Sequence, residues 1–95
     1  MKIIHYPEFQ KELDAILDYI ALDSLERTIE FHRELQGQIS KIVDMPYVHR
    51  RSIHFDDEQV RDLIFKGYTI TYLIDGDKIV ILGILKYKKS FLFKP

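Results

Sequence analysis

The chain has 95 residues, 46% hydrophobic and 31% charged, with four Gly, three Pro and a formal net charge of −1. That length suits one domain spanning residues 1–95, and the composition excludes a disordered or collagen-like chain. No cysteine is present, so disulfides and thiolate chemistry are excluded and a reducing cytoplasm is the expected location.

Four scattered His without Cys argue against a structural zinc site, and nothing implies a cofactor. No apolar run approaches the roughly 20 residues of a membrane span. The stretch Met1-Lys2-Ile3-Ile4-His5-Tyr6-Pro7 lacks the apolar core and the cleavage site of a signal peptide. Charge is unevenly placed: residues 1–48 hold five Lys/Arg against nine Asp/Glu, and residues 49–95 hold nine against six. A basic second half suggests an anionic partner there.

Lys2 to Tyr6 is a strand candidate. Pro7 follows at a first helical position, where its missing N–H costs nothing, and Glu8 suits the dipole of the first turn. Phe9, Leu13, Ile16, Leu17 and Ile20 then fall on one helical face. Asp23 with Glu26 has the spacing of a capping box and starts a second helix near Leu25. Its expected inner stripe is Leu25, Ile29, His32, Leu35, Ile39 and Ile42, with His32 read as a core histidine. Pro46 bounds this helix. The short connection folds the two helices into an antiparallel hairpin. Residues 44–59 are polar and unpatterned, a long loop of the kind that often carries function, with a short strand possible around Ser52 to Phe55.

From Val60 the period changes to two. Val60 to Phe65, Tyr68 to Ile74 and Ile79 to Tyr87 are strands, joined by tight turns at Lys66-Gly67 and Asp75-Gly76. The last is apolar on both faces and is expected to be central; Gly83 marks a bulge or a close approach. Phe91, Leu92 and Phe93 are expected to dock. The order β-α-α-β-β-β gives an α+β fold, a helical hairpin on an antiparallel sheet.

That order, with Val60-Arg61-Asp62-Leu63, Gly67-Tyr68-Thr69-Ile70-Thr71-Tyr72 and Ile79-Val80-Ile81-Leu82-Gly83-Ile84, resembles the RelE/ParE family of toxins from bacterial type II toxin–antitoxin pairs. The resemblance covers nearly the whole chain and fits the ParE-like branch slightly better. It implies a growth-inhibiting toxin of the plasmid-stabilization kind, held in a hetero-oligomer by a cognate antitoxin. A ParE-like member poisons DNA gyrase. A RelE-like member is instead an endoribonuclease that cleaves mRNA in the ribosome, and a degenerate member only binds antitoxin. The chain departs from the family at Thr69, where an Arg is frequent.

Under the RelE-like reading the catalytic residues are Arg61, Lys86, Tyr87 and His54. Cutting RNA requires cations to stabilise the charged phosphorane and a His or Tyr to move protons. Under a binding reading the contacts to target or nucleic acid are Arg50, Arg51, Arg61, Lys88 and Lys89. Arg61 and the Lys86–Lys89 cluster are expected to share one exposed basic surface. Tyr68 and Tyr72 are read as packing residues with their hydroxyls at the rim. The incomplete catalytic set favours binding over catalysis.

Overall fold

The computed structural model describes residues 1–86. Its elements are β1 (Lys2–His5), α1 (Pro7–Ala21), α2 (Leu25–Ile42), β2 (Arg50–Arg51), β3 (Val60–Phe65), β4 (Tyr68–Asp75) and β5 (Lys78–Lys86). The strands form one sheet in the order β1-β5-β4-β3-β2. Strands β2 to β5 pair antiparallel, whereas β1 runs parallel to β5, with Lys2 opposite Lys78 and His5 opposite Ile81. The wholly antiparallel sheet expected from sequence is therefore mixed. The hairpin crossover carries the chain back to the side from which β1 starts, and this forces the parallel pairing.

The helices cover one face. Phe9 and Leu13 of α1 are buried, and Ile16, Leu17 and Ile20 pack against the core, as their spacing requires. In α2 the buried stripe is Phe31, Leu35, Ile39 and Ile42. Leu25 and Ile29 are exposed, and so is His32, contrary to the expected stripe. The sequence offers two overlapping apolar rows on this helix. The row containing Phe31 wins because its ring meets Phe65 and Tyr68 edge-on, at 5.4 and 5.6 Å between centroids. The helix starts at Leu25 as expected, but its cap is one residue later than expected: Ser24 is the N-cap and accepts from the Arg27 backbone N–H at 3.1 Å. Asp23 pairs instead with the Arg27 side chain.

The sheet contributes Leu63 and Phe65, then Ile70, Tyr72 and Ile74, then Ile79, Ile81 and Ile84 to the same core. Alternation along β5 is broken once: Thr71 lies opposite Gly83 but Tyr72 lies opposite Ile81, so Leu82 is an extra residue in a bulge. The bulge returns Ile84 to the helix face. Its free backbone is held by α1, where Glu12 Oε1 accepts from the Ile84 N–H at 2.9 Å. A Cβ on residue 83 would stand 3.0 Å from that oxygen, which is why glycine occupies the position.

The short strand of the long loop is Arg50–Arg51 rather than Ser52 to Phe55, and it pairs with Arg61 and Asp62. The second hairpin loop is Gly76-Asp77, one residue later than expected, with Asp75 paired to Lys78 and Gly76 at φ 60°. At the first hairpin Lys66 (φ 49°) and Gly67 (φ 83°) are both left-handed, as a type I′ turn demands. Lysine is a poor residue there, and Lys66 reaches Glu34 of α2 across the surface. The Lys66 ammonium, by hydrogen bond and charge, holds the Glu34 carboxyl below its ordinary value.

Replacing Lys66 by Asn should raise stability by about 0.5 kcal/mol, measured by urea unfolding, because the strained φ suits Asn and an exposed ion pair contributes little. A loss of stability would show that the bridge to Glu34 outweighs the strain.

Candidate functional site

Functional candidates cluster where the 44–59 segment meets β3. Side chains alternate along a strand, so the consecutive residues Arg61 and Asp62 point to opposite faces of the sheet.

Arg61 lies on the helix face, beyond Leu63 and Phe65. Its guanidinium does not project outward. Nε donates to the Glu58 carbonyl at 2.9 Å, and one terminal nitrogen donates to the His49 and Tyr47 carbonyls at 3.1 and 3.4 Å. The same group lies 5.0 Å from the centre of the Tyr47 ring, within cation–π range. Tyr72 completes the bracket. It is fully buried, its hydroxyl donates to the Pro46 carbonyl at 2.6 Å, and burial pushes its phenol up to about 12. The hydroxyl expected at the rim is therefore inside. His49 packs edge-on against Tyr72 at 6.1 Å, and burial lowers its pKa.

Asp62 lies on the helix-free face and is 1% exposed. It accepts from the Thr71 hydroxyl at 2.9 Å and the Ile53 backbone N–H at 3.4 Å, and pairs with Arg50 at 3.5 Å. This buried carboxylate was not singled out from sequence. Its only advance signal is an acidic residue in the middle of a strand pattern, a position that demands partners once it is buried. Arg51, beside Arg50 at the sheet edge, pairs with the exposed Asp56 at 3.3 Å.

His54 is exposed on the helix-free face, where its backbone N–H donates to the Ser52 hydroxyl. With Phe55 it walls a pocket of about 230 Å³ over Thr69, Thr71 and Gly83. Lys86 lies at the far end of the sheet, 5.7 Å over the Tyr68 ring, in a groove of about 390 Å³ between α1 and β5 lined by Ile16, Tyr19 and Ile84. Arg61 is opposite Tyr72 and Lys86 is opposite Tyr68. Four residues of strand, roughly 13 Å, separate those two positions.

The structure thus brings Arg50 and Asp62 together, and sets Arg51 opposite Arg61 in register. It separates Arg61 from Lys86 and leaves His54 on the other face from both. The single basic surface expected from sequence does not form from Arg61 and Lys86, because Arg61 is turned inward onto loop carbonyls. Tyr87, Lys88, Lys89 and the segment Phe91 to Phe93 lie outside the described residues. Among the described residues no group of His, Asp and Glu is placed to hold a metal ion, and no helix is long and apolar enough to cross a membrane.

Comparison with known proteins places this geometry in context. The sequence profile of the family described as ParE toxin of type II toxin–antitoxin system, parDE, matches residues 3–91. No match was found among curated protein sequences. Among solved structures, a chain of the chromosomal ParDE system from P. aeruginosa is 20% identical, with a TM-score of 0.73 over 90% of this chain and 95% of that one. A chain of the RelB–RelE antitoxin–toxin complex from Methanococcus jannaschii is 17% identical, with a TM-score of 0.55 over 97% and 99%. A conserved hypothetical protein from Helicobacter pylori is also 17% identical, with a TM-score of 0.58 over 93% and 96%. At these identities the solved structures share the fold.

Asp62→Ala should cost about 2–4 kcal/mol, because it strips the half-buried Thr71 hydroxyl and the Ile53 N–H of their acceptor and removes the buried carboxylate that pairs with Arg50. Urea unfolding measures it, and a cost under about 0.5 kcal/mol would mean that the carboxylate is dispensable. Tyr72→Phe should cost about 1 kcal/mol at neutral pH through the lost bond to Pro46. Because the folded pKa of Tyr72 lies above its ordinary 10.0, its contribution is complete below pH 10 and falls as pH rises toward 12. The stability difference between parent and variant should therefore shrink across that window. A difference independent of pH up to 12 would refute the account.

Proposed function

We propose that this chain, which belongs to the ParE toxin family of type II toxin–antitoxin systems, acts in the cytoplasm by binding DNA gyrase and is held inactive in a hetero-oligomer with a small cognate antitoxin. The observation that carries the reading is the match of the ParE family profile over residues 3–91. The fold shared with a chain of the ParDE system from P. aeruginosa supports it.

Binding is favoured over catalysis by the placement of the cations. A ribonuclease needs charge stabilisation and proton transfer at one phosphodiester. Arg61 is engaged with three carbonyls, Lys86 lies at the other end of the sheet, and His54 lies on the other face. Three groups so placed do not meet on one phosphate. Arg50 and Arg51, both in the edge strand, and Lys86 are the described cations proposed for contact with a target surface. Lys88 and Lys89 are proposed with them from sequence alone. Arg61 serves this site by holding the loop that presents Arg50 and Arg51.

Expression of the chain alone should arrest growth, and the purified protein should block supercoiling by gyrase while leaving mRNA intact in a ribosomal translation assay. The double variant Arg51→Ala/Lys86→Ala should weaken gyrase inhibition about tenfold, mainly through the association rate. Cleaved mRNA with unimpaired supercoiling would replace this reading with the RelE-like one. Harmless expression of folded protein would leave a degenerate member that only binds antitoxin.

A further inference from the structure

The helix-free face of the sheet contains a built pocket that the preceding reading does not use. Its floor is β4 and β5, at Thr69, Thr71 and the bulge at Gly83, and its wall is His54 and Phe55. Three features define what it accepts.

The first is an unmade hydrogen bond. Thr69 is 4% exposed, and its hydroxyl oxygen has no partner among the described residues. A buried hydroxyl left unpaired costs free energy, and one that lines a pocket can recover it from a ligand. The second is the polarity of the floor. Thr71 donates its hydroxyl hydrogen to Asp62, so it offers a ligand only oxygen lone pairs. Glu12 also lines the pocket, and among the described residues its carboxylate accepts one hydrogen bond, from the Ile84 N–H. The third is the charge of the lining, which among the described residues includes the Glu12 carboxylate and neither Lys nor Arg. An anion brought here would meet acceptors and a like charge, whereas a cation with several N–H donors would find them complementary.

We propose that this pocket receives an arginine side chain from a partner polypeptide. The guanidinium would donate to Thr69, Thr71 and Glu12, lie beside the Phe55 ring, and rest its aliphatic stem on Leu82 and Leu85. A polypeptide is favoured over a free small molecule by what surrounds the pocket. Phe55, Ile64 and Leu85 are each between 44% and 49% exposed on the same face. Flanking apolar residues of a partner strand or helix would cover them; a metabolite would leave them in water. The proposal rests on the reading of the chain as one half of a protein pair, and it names the chemistry by which that partner is recognised.

The test uses the full chain and amide chemical shifts at pH 7.5, with defined probes. Acetyl-Leu-Arg-Leu-amide should shift the amides of Thr69, Thr71, Gly83 and Ile84. The same peptide with norleucine or glutamate at the centre should not, and free argininamide should bind at least tenfold more weakly. Thr69→Val removes only the unpaired hydroxyl, and Glu12→Gln keeps the oxygen that accepts from Ile84 while removing the charge. Each should weaken the arginine peptide about three- to tenfold with the rest of the spectrum unchanged. The proposal is overturned if inorganic phosphate or the glutamate peptide moves these amides, if norleucine binds as well as arginine, or if argininamide equals the peptide. The last outcome would make the site a metabolite pocket. Absence of binding by every probe also overturns it. None of these readouts depends on growth arrest or gyrase, so the pocket and the toxin reading fail separately.

Discussion

Two consecutive residues of β3, Arg61 and Asp62, hold the irregular segment between α2 and β3 from opposite faces of the sheet. On the helix face the Arg61 guanidinium takes three loop carbonyls, and Tyr72 takes a fourth from Pro46. On the other face Asp62 takes the Ile53 N–H and the Arg50 side chain. A segment with little backbone pairing of its own would otherwise leave its polar groups to water or unsatisfied. Side-chain alternation in a strand lets one dipeptide serve both sides. The positions of His49, Arg50, Arg51, His54 and Phe55 all follow from this two-sided attachment. A change at either residue would move the sheet edge and the pocket wall together.

The two faces of the sheet differ in chemistry. The helix face is a dense apolar core, closed at one end by the Tyr72 phenol and the Arg61 bracket. The other face has no helix on it among the described residues and collects threonines, a buried aspartate and half-exposed apolar side chains. The bulge at Leu82 connects them: it keeps Ile84 in the core, and Glu12 of α1, which accepts from the Ile84 N–H, also lines the pocket on the open face. One insertion in one strand thus serves the packing of the core and the polarity of the open face.

Much of the architecture was readable from spacing. The first helix, the three long strands and the central place of β5 follow from periods of 3.6 and two, since those periods are local properties. The parallel pairing of β1 was not readable, because pairing direction depends on where the crossover delivers the chain. The inner stripe of α2 was misplaced because Leu25 and Ile29 fit a helical period as well as Phe31 does; the choice lay with Phe65 and Tyr68 on another element. At the candidate site the sequence offered Arg61 as an exposed cation for a target or a phosphate, and it could not show that the guanidinium would be taken by the backbone carbonyls of Glu58, His49 and Tyr47. Thr69 stood out as a departure from the family pattern. Its orphaned hydroxyl became visible only with the opposing loop in place.

The parallel contact between β1 and β5 has a temporal consequence. Lys2 finds its strand partner at Lys78, so β1, made before the other four strands of this sheet, must wait for β5, made after them. Until β5 appears, β4 lacks its longest neighbour, and α1 has neither the bulge that Glu12 secures nor Ile79, Ile81 and Ile84 to pack upon. Long-range pairings of this kind are formed late and slowly. A nascent chain of this protein is therefore without its sheet core until β5 has been made, and anything that recognises the finished sheet has nothing to grip before then.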